Sequence, residues 1–597
     1  MNIEDTGKLN WWREARFGLF IHWGLYSIPA GEWNGRKINR IAEQIPRFSE
    51  IQMSDYARLA GQFNPVCFDA DSIVQLAVDA GMKYLVITAK HHDGFAMFKS
   101  DADPFNLVDA TPFGRDVVEE LSEACSKAGI TFCIYYSQRQ DWHHPDGSWN
   151  EWPDQHPIPF EERDFDFNRC MNEKCIPQMR ELMTRYGPIG LVWYDTPVDS
   201  MPEQSRRFTE LVHEIQPDCL VCDRVGNGFG DYTVLGDNEF PYGSRNADGE
   251  VPATMNHSWG FKRDDSQWKS VQQLLYSLIR SASKGCNYLL NIGPRSDGSI
   301  PPESVERLQD IGQWMRVNGE AIYGARAAPF PNPFSWGMMT AKGTHLYLIF
   351  SDWPGRDFIL KGLKNKVLKA VLLADPSRVL SVEQKVILNV GNLPQNAPDE
   401  TFSVIRLELD GVPQADPRIF QDEDGSVLLL SANARVECPQ DSRLRVSRKG
   451  LPVGFHEGSG SLVWEFELDQ PGHYRLDALT NRHWSHEWAA GIQLHAEVEL
   501  LNRSGAGGSP PAGYVVVTNE LQQDEQLDNL QARYHPETIS RIGSLGFGEP
   551  GTCQLSIKIT AMPKLETGDP LCEDLGDSRT LNLIHLSLIP ANKHETT

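Results

Sequence analysis

Tyr84-Leu85-Val86-Ile87-Thr88-Ala89-Lys90-His91-His92-Asp93 and Ile189-Gly190-Leu191-Val192-Trp193-Tyr194-Asp195-Thr196 share one pattern: an apolar β-like run that ends in hydrogen-bonding or ionisable side chains. A continuous apolar run, unlike an alternating one, suits a strand buried on both faces of a helix-covered parallel sheet. Working outward, similar runs stand at 17–23, 130–137, 219–224 and 287–292. Amphipathic helical patterns separate them at 71–80, 116–128, 170–186, 204–215 and 271–284. A last helix is expected over 302–318, with Glu303 in its first turn and Gly319 as its C-terminal stop.

Strand–helix alternation leaves an open doubly wound sheet or a closed barrel. The strand ends decide between them. His22-Trp23, His91-His92-Asp93, Tyr135-Tyr136, Asp195, Arg224, Trp259 and Asn291 stand at or just beyond the carboxyl ends of successive runs. A closed barrel brings all of these to one face, whereas an open sheet gathers ligands at one or two switch points. No GxGxxG or GxxxxGK[ST] follows a run, which further weakens the open, nucleotide-binding option. The expected fold is therefore α/β: a (β/α)8-like N-terminal domain over 1–325, with irregular later strands.

After Gly324 the texture becomes all-β. Short runs at 345–350, 366–373, 403–409, 426–430 and 462–468 are bounded by Gly, Pro or Asp. We expect a β-sandwich over 326–412 and an additional sandwich or jelly roll over 413–597, joined by a linker at 411–417. Pro471-Gly472-His473-Tyr474-Arg475-Leu476 is similar to the turn-and-strand signature of jelly-roll carbohydrate-binding modules. The Gly-, Ser- and Pro-rich stretch 503–512 is expected to be a mobile loop.

With 56 Lys and Arg against 81 Asp and Glu, the net charge of −25 argues against nucleic acid or an anionic membrane as partner. No run approaches the roughly 18 apolar residues of a membrane span. The N-terminus has no apolar signal segment, and eleven scattered cysteines suit reduced thiols, so a cytoplasmic protein is expected. Cys219 and Cys222 form a lone CxxC on a strand and are read as structural. The acidic surface and extra sandwich are compatible with a homo-oligomer.

Asp195 taken alone could be a helix cap, since Asp is a favoured N-cap. Its company changes that reading. His22, His91 and His92, with Tyr136, Arg224 and Trp259, would gather hydrogen-bonding groups and aromatic faces at one barrel mouth, as a polyhydroxylated ligand needs. His91-His92-Asp93 also invites a metal reading. Adjacent strand residues, however, point to opposite faces unless a bulge intervenes, and no HxH or HExxH spacing is present, so no metal is expected.

Phe20-Ile21-His22-Trp23-Gly24, the 84–95 segment ending His91-His92-Asp93-Gly94-Phe95, Val192-Trp193-Tyr194-Asp195 and Asn291-Ile292-Gly293-Pro294 together resemble the motifs of glycoside hydrolase family 29, the α-L-fucosidases. Ser258-Trp259-Gly260-Phe261 and Lys284-Gly285-Cys286-Asn287 fit the same order, and the match runs from about residue 10 to 325. The resemblance implies a barrel with a C-terminal β-sandwich, exo-hydrolysis of α-L-fucosides with retention, and no metal or cofactor. It does not account for the chain beyond about 415.

The resemblance further implies that Asp195 is the nucleophile and that His22, His91 and His92 hold fucose hydroxyls. Trp33 and Trp259 are candidates to pack on the ring or its C6 methyl. Glu32 is a candidate hydroxyl contact or support, and Arg224 could orient a carboxylate. Glu239 is the favoured acid/base, with Asp237 and Glu250 as alternatives. The sequence departs from the family here, with Gly-Glu250 for Trp-Glu and Gly-Asp-Asn-Glu for Thr-Pro-Glu. Two rival readings remain: a same-fold glycosidase of other specificity, such as a galactosidase, and a degenerate fucose-binding lectin.

Overall fold

Eight short parallel strands carry the N-terminal half of the computed structural model: β1 (Phe17–Ile21), β2 (Tyr84–Lys90), β3 (Thr131–Ser137), β4 (Leu191–Asp195), β5 (Leu220–Val221), β6 (Thr233–Val234), β7 (Gly249–Thr254) and β8 (Cys286–Ile292). Residues 7–49, 51–147, 166–197, 199–243, 248–332, 334–447, 449–481, 491–501, 515–522, 524–526, 537–562 and 581–591 are described. The chain divides into two compact units. One comprises 1–238, 247–281 and 286–324; the other comprises 239–246, 282–285 and 325–597.

The strand order is β5-β4-β3-β2-β1-β8-β7-β6, every neighbouring pair parallel. Its edges also meet. The Asp223 N–H donates to the Tyr232 carbonyl at 2.9 Å and the Asp231 N–H to the Val221 carbonyl at 2.7 Å. With the parallel bridge between Cys222 and Tyr232, these bonds close the sheet into a barrel. Every residue of β2 and β8 is buried, as their apolar sequences require.

The main helices are α1 (Asn10–Ala15), α2 (Ala70–Asp79), α3 (Val117–Ala128), α4 (Ile176–Arg185), α5 (Pro202–Ile215), α6 (Val271–Ser283) and α7 (Pro302–Asn318). Asp69 and Asp116 cap α2 and α3 by accepting from the Ser72 and Glu119 N–H groups. In α5 the buried Phe208, Leu211 and Val212 recur at helical spacing, and such side chains contribute roughly 1.5–3 kcal/mol each.

Three expectations need correction. The 170–186 helix is interrupted by a π-helical turn, Met171–Cys175. The 219–224 strand shortens to two residues followed by a 3-10 turn, Asp223–Val225. Gly319 does not stop α7 in a left-handed conformation: its φ is −60° and the chain runs on into the 3-10 turn Gly319–Ala321.

The second unit is β-rich. A five-stranded and a three-stranded sheet enclose a core that includes Leu346, Leu348, Phe350, Val390, Ile405 and Leu407. A separate core including Leu429, Trp464, Phe466, Leu476, Leu494 and Leu555 belongs to the six- and five-stranded sheets that follow. The Pro471–Leu476 signature leads into the strand Gly472–Asn481. The stretch 503–512 lies outside the described residues.

Candidate active site

The carboxyl ends of the barrel strands converge on one cavity. His22 follows β1, His91 and His92 follow β2, Asp195 ends β4, and Arg224, Asp237 and Trp259 follow β5, β6 and β7; all line it. Phe20, Tyr135, Trp193, Ile41, Glu43 and Gln44 complete the wall. The empty space between these side chains is about 330 Å³, with open solvent at the mouth included.

Asp195 is the centre of a converging network. Tyr135 Oη–H donates to its Oδ2 at 2.8 Å and Arg224 Nη1 to its Oδ1 at 3.0 Å. His92 Nε2 stands 3.6 Å from Oδ2. Burial pushes the carboxyl up, but the Arg224 guanidinium and the Tyr135 hydroxyl hold the group below its ordinary value. Asp195 is therefore an ionised carboxylate facing the cavity, and the helix-cap reading falls because α5 begins seven residues later, at Pro202.

Gln138 fixes the backbone beneath this carboxylate. Its Oε1 accepts from the Asp195 N–H at 2.8 Å and its Nε2 donates to the Arg224 carbonyl at 2.9 Å, tying the ends of β4 and β5 together. The Arg224 guanidinium lies over the Trp193 ring, 4.7 Å from its centroid. Its second terminal nitrogen, Nη2, donates to Asp237 Oδ1 at 2.6 Å. One guanidinium thus holds two carboxylates at the rim of the same cavity.

The three histidines are neutral. Burial drives His22 down to about 3, with Asn291 and Asp195 opposing, and His92 down to about 4, with Asp195 opposing. His91 is also pushed well below its usual value by burial and its two histidine neighbours. Asn291 Nδ2 donates to the Trp259 carbonyl at 2.7 Å, so its Oδ1 faces His22 Nδ1, also at 2.7 Å, and must accept. His22 Nδ1 therefore carries the proton and Nε2 is left as an acceptor. Ser137 likewise donates to the Gln140 carbonyl and so accepts from His92 Nδ1, leaving His92 Nε2 an acceptor too.

Both histidines of the pair reach the cavity because they lie past the end of β2, in the turn closed by the Gly94 N–H donating to the His91 carbonyl at 3.1 Å, where strand alternation no longer applies. The turn is braced by buried ion pairs: Asp141 Oδ2 accepts from Lys90 at 2.9 Å and Lys174 at 2.8 Å. Among the described residues, no group of three or more His, Cys, Asp or Glu is placed to hold a metal ion.

Five candidates do not line the cavity as expected. Tyr136 points to the opposite face of β3, donating to Gln178 Oε1 at 2.8 Å; Tyr135, one residue earlier, is the cavity residue. Glu250 is not on a loop. It is the second residue of β7, buried at the amino-terminal end of the barrel. There it accepts from Tyr84 Oη at 2.7 Å and Trp193 Nε1 at 2.9 Å, while burial raises its pKa against these donors. Glu32 and Trp33 form a two-residue hairpin arm paired with Lys37 and Arg36, away from the cavity wall. Glu239 belongs to the second unit, where its Oε2 accepts from Lys449 Nζ at 2.7 Å.

Sequence reasoning missed Glu43. It lines the cavity at 1% exposure, with Oε2 accepting from the Gly260 N–H at 3.0 Å and from Ser258 Oγ at 3.2 Å. Among the described residues, its buried Oε1 and the buried His91 Nδ1 find no hydrogen-bond partner. Burial raises the Glu43 carboxyl to about 7, against those two donors. Glu43 stands in Ile41-Ala42-Glu43-Gln44-Ile45, at no strand end, so reasoning from strand ends does not reach it and the folded chain reveals it.

If His22 or His91 is replaced by Ala, kcat/KM on a fucoside is expected to fall by the worth of one hydrogen bond, about 1–3 kcal/mol. The melting temperature should hold. Unchanged kinetics would make these histidines structural.

A family model described as Alpha-L-fucosidase matches residues 2–320. The rat (Rattus norvegicus) tissue alpha-L-fucosidase is 32% identical over 380 residues, 59% of this chain and 78% of that protein. The bovine (Bos taurus) counterpart is 30% identical over 365 residues, 58% of this chain and 75% of that protein. Among solved structures, the alpha-L-fucosidase of Vibrio sp. strain EJY3 matches with TM-score 0.81 and 31% identity over 98% of both chains. Isoenzyme 1 of Paenibacillus thiaminolyticus matches with TM-score 0.62 and 33% identity over 68% of this chain and 99% of that one. The Vibrio match extends through the β-rich half, so the region beyond about 415 has a counterpart in a solved enzyme of this kind. With this sequence likeness added to the strand-end cavity, the chain belongs to the α-L-fucosidase family, glycosidases that release fucose.

Proposed function

We propose that this chain is a retaining exo-α-L-fucosidase acting on terminal α-L-fucose of oligosaccharides and glycoconjugates, with Asp195 as nucleophile and Asp237 as acid/base. The observation that carries the reading is the Arg224 fork, which binds Asp195 at 3.0 Å and Asp237 at 2.6 Å in one cavity at the strand ends. A spacing bridged by one guanidinium fits the roughly 5–5.5 Å of a retaining pair better than the roughly 6.5–9.5 Å of an inverting one.

In the first step Asp195 attacks the anomeric carbon, the glycosidic C–O bond breaks, and Asp237 gives its proton to the departing oxygen. In the second, Asp237 takes a proton from water, whose oxygen attacks the same carbon and frees Asp195. Neutral His22 and His92 accept hydrogen bonds from sugar hydroxyls. Phe20 and Trp259, with ring centroids 6.0 Å apart, supply an apolar wall for the C6 methyl that distinguishes fucose from galactose.

Exposure separates the two candidate acids. The leaving-group oxygen lies on the open side of the bound ring, and the Asp237 side chain is 35% exposed there, whereas Glu43 is sealed into the wall. Glu43, raised to about 7, is accordingly assigned to a fucosyl hydroxyl. Asp237 replaces Glu239 in the acid role.

The test follows an aryl α-L-fucoside by NMR. The α-anomer of fucose should appear first, before mutarotation. Appearance of the β-anomer would sink the double displacement. Preference for an aryl β-galactoside would indicate the other glycosidase, and tight fucose binding without turnover would indicate the lectin.

A further inference from the structure

We propose that Lys269, acting through Asn238, is the positioning residue that holds Asp237 at the rim of the cavity. The inference rests on the reading of Asp237 as acid/base, and it concerns residues that do not line the cavity at all.

Asp237 follows β6 on a connection with no helix among its described residues. Its side-chain anchor is Arg224, which also serves Asp195. Asn238, the next residue, does what a helix would otherwise do. It is buried, and its N–H donates to the Pro252 carbonyl at 3.0 Å. Its Oδ1 accepts from the Thr254 N–H at 3.0 Å and from Lys269 Nζ at 3.0 Å. The Thr254 hydroxyl is also near, at 3.2 Å, but its one proton goes to the Asn256 carbonyl at 2.5 Å. With two N–H donors on one side, the amide has a single allowed orientation, and its Nδ2 is left buried without a partner.

The backbone at Asn238 is left-handed, φ +54°, a conformation that Asn tolerates better than most side chains. Residue 237 is thus delivered to the rim by a kink whose side chain is nailed to β7. Lys269 is the nail. Its Nζ also donates to the Thr254 carbonyl at 2.7 Å, so one ammonium bridges the end of β7 and the acid's loop. Its own backbone is clamped: the N–H donates to the Met255 carbonyl at 2.8 Å, and its carbonyl accepts from Arg307 Nε of α7 at 2.7 Å.

A lysine at 4% exposure is an expensive way to fill space, since an aliphatic side chain would pack there without desolvating a charge. Burial indeed pushes its ammonium down to about 7. A group kept at that cost, with its donors on Asn238 and Thr254, fits a positioning role better than a packing one.

Kinetics of Lys269→Met on a series of aryl α-L-fucosides of graded leaving-group pKa test this. On poor leaving groups kcat/KM should fall about 10- to 100-fold, a fraction of the roughly 10²–10⁴ that a general acid contributes. On activated aryl groups the loss should be slight. In the Asp237→Gly background, Lys269→Met should cost nothing further, because the positioned group is gone. A loss equal across all leaving groups, or no loss on the poor ones, overturns the proposal. If Lys269→Met does not fold, Asn238→Gly, which keeps the left-handed turn and deletes the acceptor, carries the same measurement. The two readings fail separately. A flat series in Asp237→Gly removes the acid assignment and this inference with it; a steep series there beside a flat one in Lys269→Met removes the positioning role alone.

Discussion

Asp195→Gly is expected to lose turnover of every fucoside, whatever its leaving group, by roughly 10⁴- to 10⁶-fold, the scale on which removing a covalent nucleophile acts. The reason is the network around its carboxylate. Tyr135 and Arg224 hold both oxygens, and they overcome the cost of burial and keep the group ionised. No other cavity carboxylate is equipped in this way: Glu43 is raised to about 7 and bonded to Ser258 and Gly260. An added azide can take the place of the missing carboxylate and attack the anomeric carbon directly. The product should then be a fucosyl azide of inverted configuration. Retention of a substantial share of wild-type kcat in Asp195→Gly would remove Asp195 from the nucleophile role.

Asp237→Gly should behave differently. Loss of the acid withholds a proton from the leaving oxygen, so fucosides with poor leaving groups should slow by roughly 10²–10⁴-fold. An aryl group of low pKa departs without that proton, and its release should be nearly normal in the first step. The second step then lacks its base, and azide, which needs none, should attack the fucosyl-enzyme and give the azide of retained configuration. The two variants thus yield opposite anomers from one reagent. If Asp237→Gly cleaves poor-leaving-group fucosides at the wild-type rate while Glu43→Gln or Glu239→Gly does not, the acid is that other residue.

The barrel was legible because its evidence is local and repeated. Apolar runs at 84–90 and 189–195, each closed by polar side chains, could be recognised without knowing their partners, and the helices between them announce themselves through helical spacing, as at 71–80 and 116–128. His22, His91, His92, Asp195 and Arg224 were legible for the same reason: each stands at or just after the end of a run and inherits its position from the strand before it, whereas Trp259 was reached through the Ser258-Trp259-Gly260-Phe261 motif. Tyr135 was within reach too. Its parallel register with Trp193 puts 135 on the same face as Asp195, and parity alone excludes Tyr136.

What the chain alone determined, then, is the order of strand ends and the side chains they carry, because strand periodicity and capping are written in neighbouring residues. Tertiary structure alone decided which carboxylates face which way. Glu250 sits among hydrogen-bonding partners from Trp12, Tyr84, Trp193 and Tyr232, Glu43 depends on Ser258 and Gly260, and Asp237 depends on Arg224. All of these partners are drawn from other segments of the chain, 13 or more residues away. A carboxylate's role follows from its burial and from the donors around it, and those are properties of segments that meet only when the barrel closes.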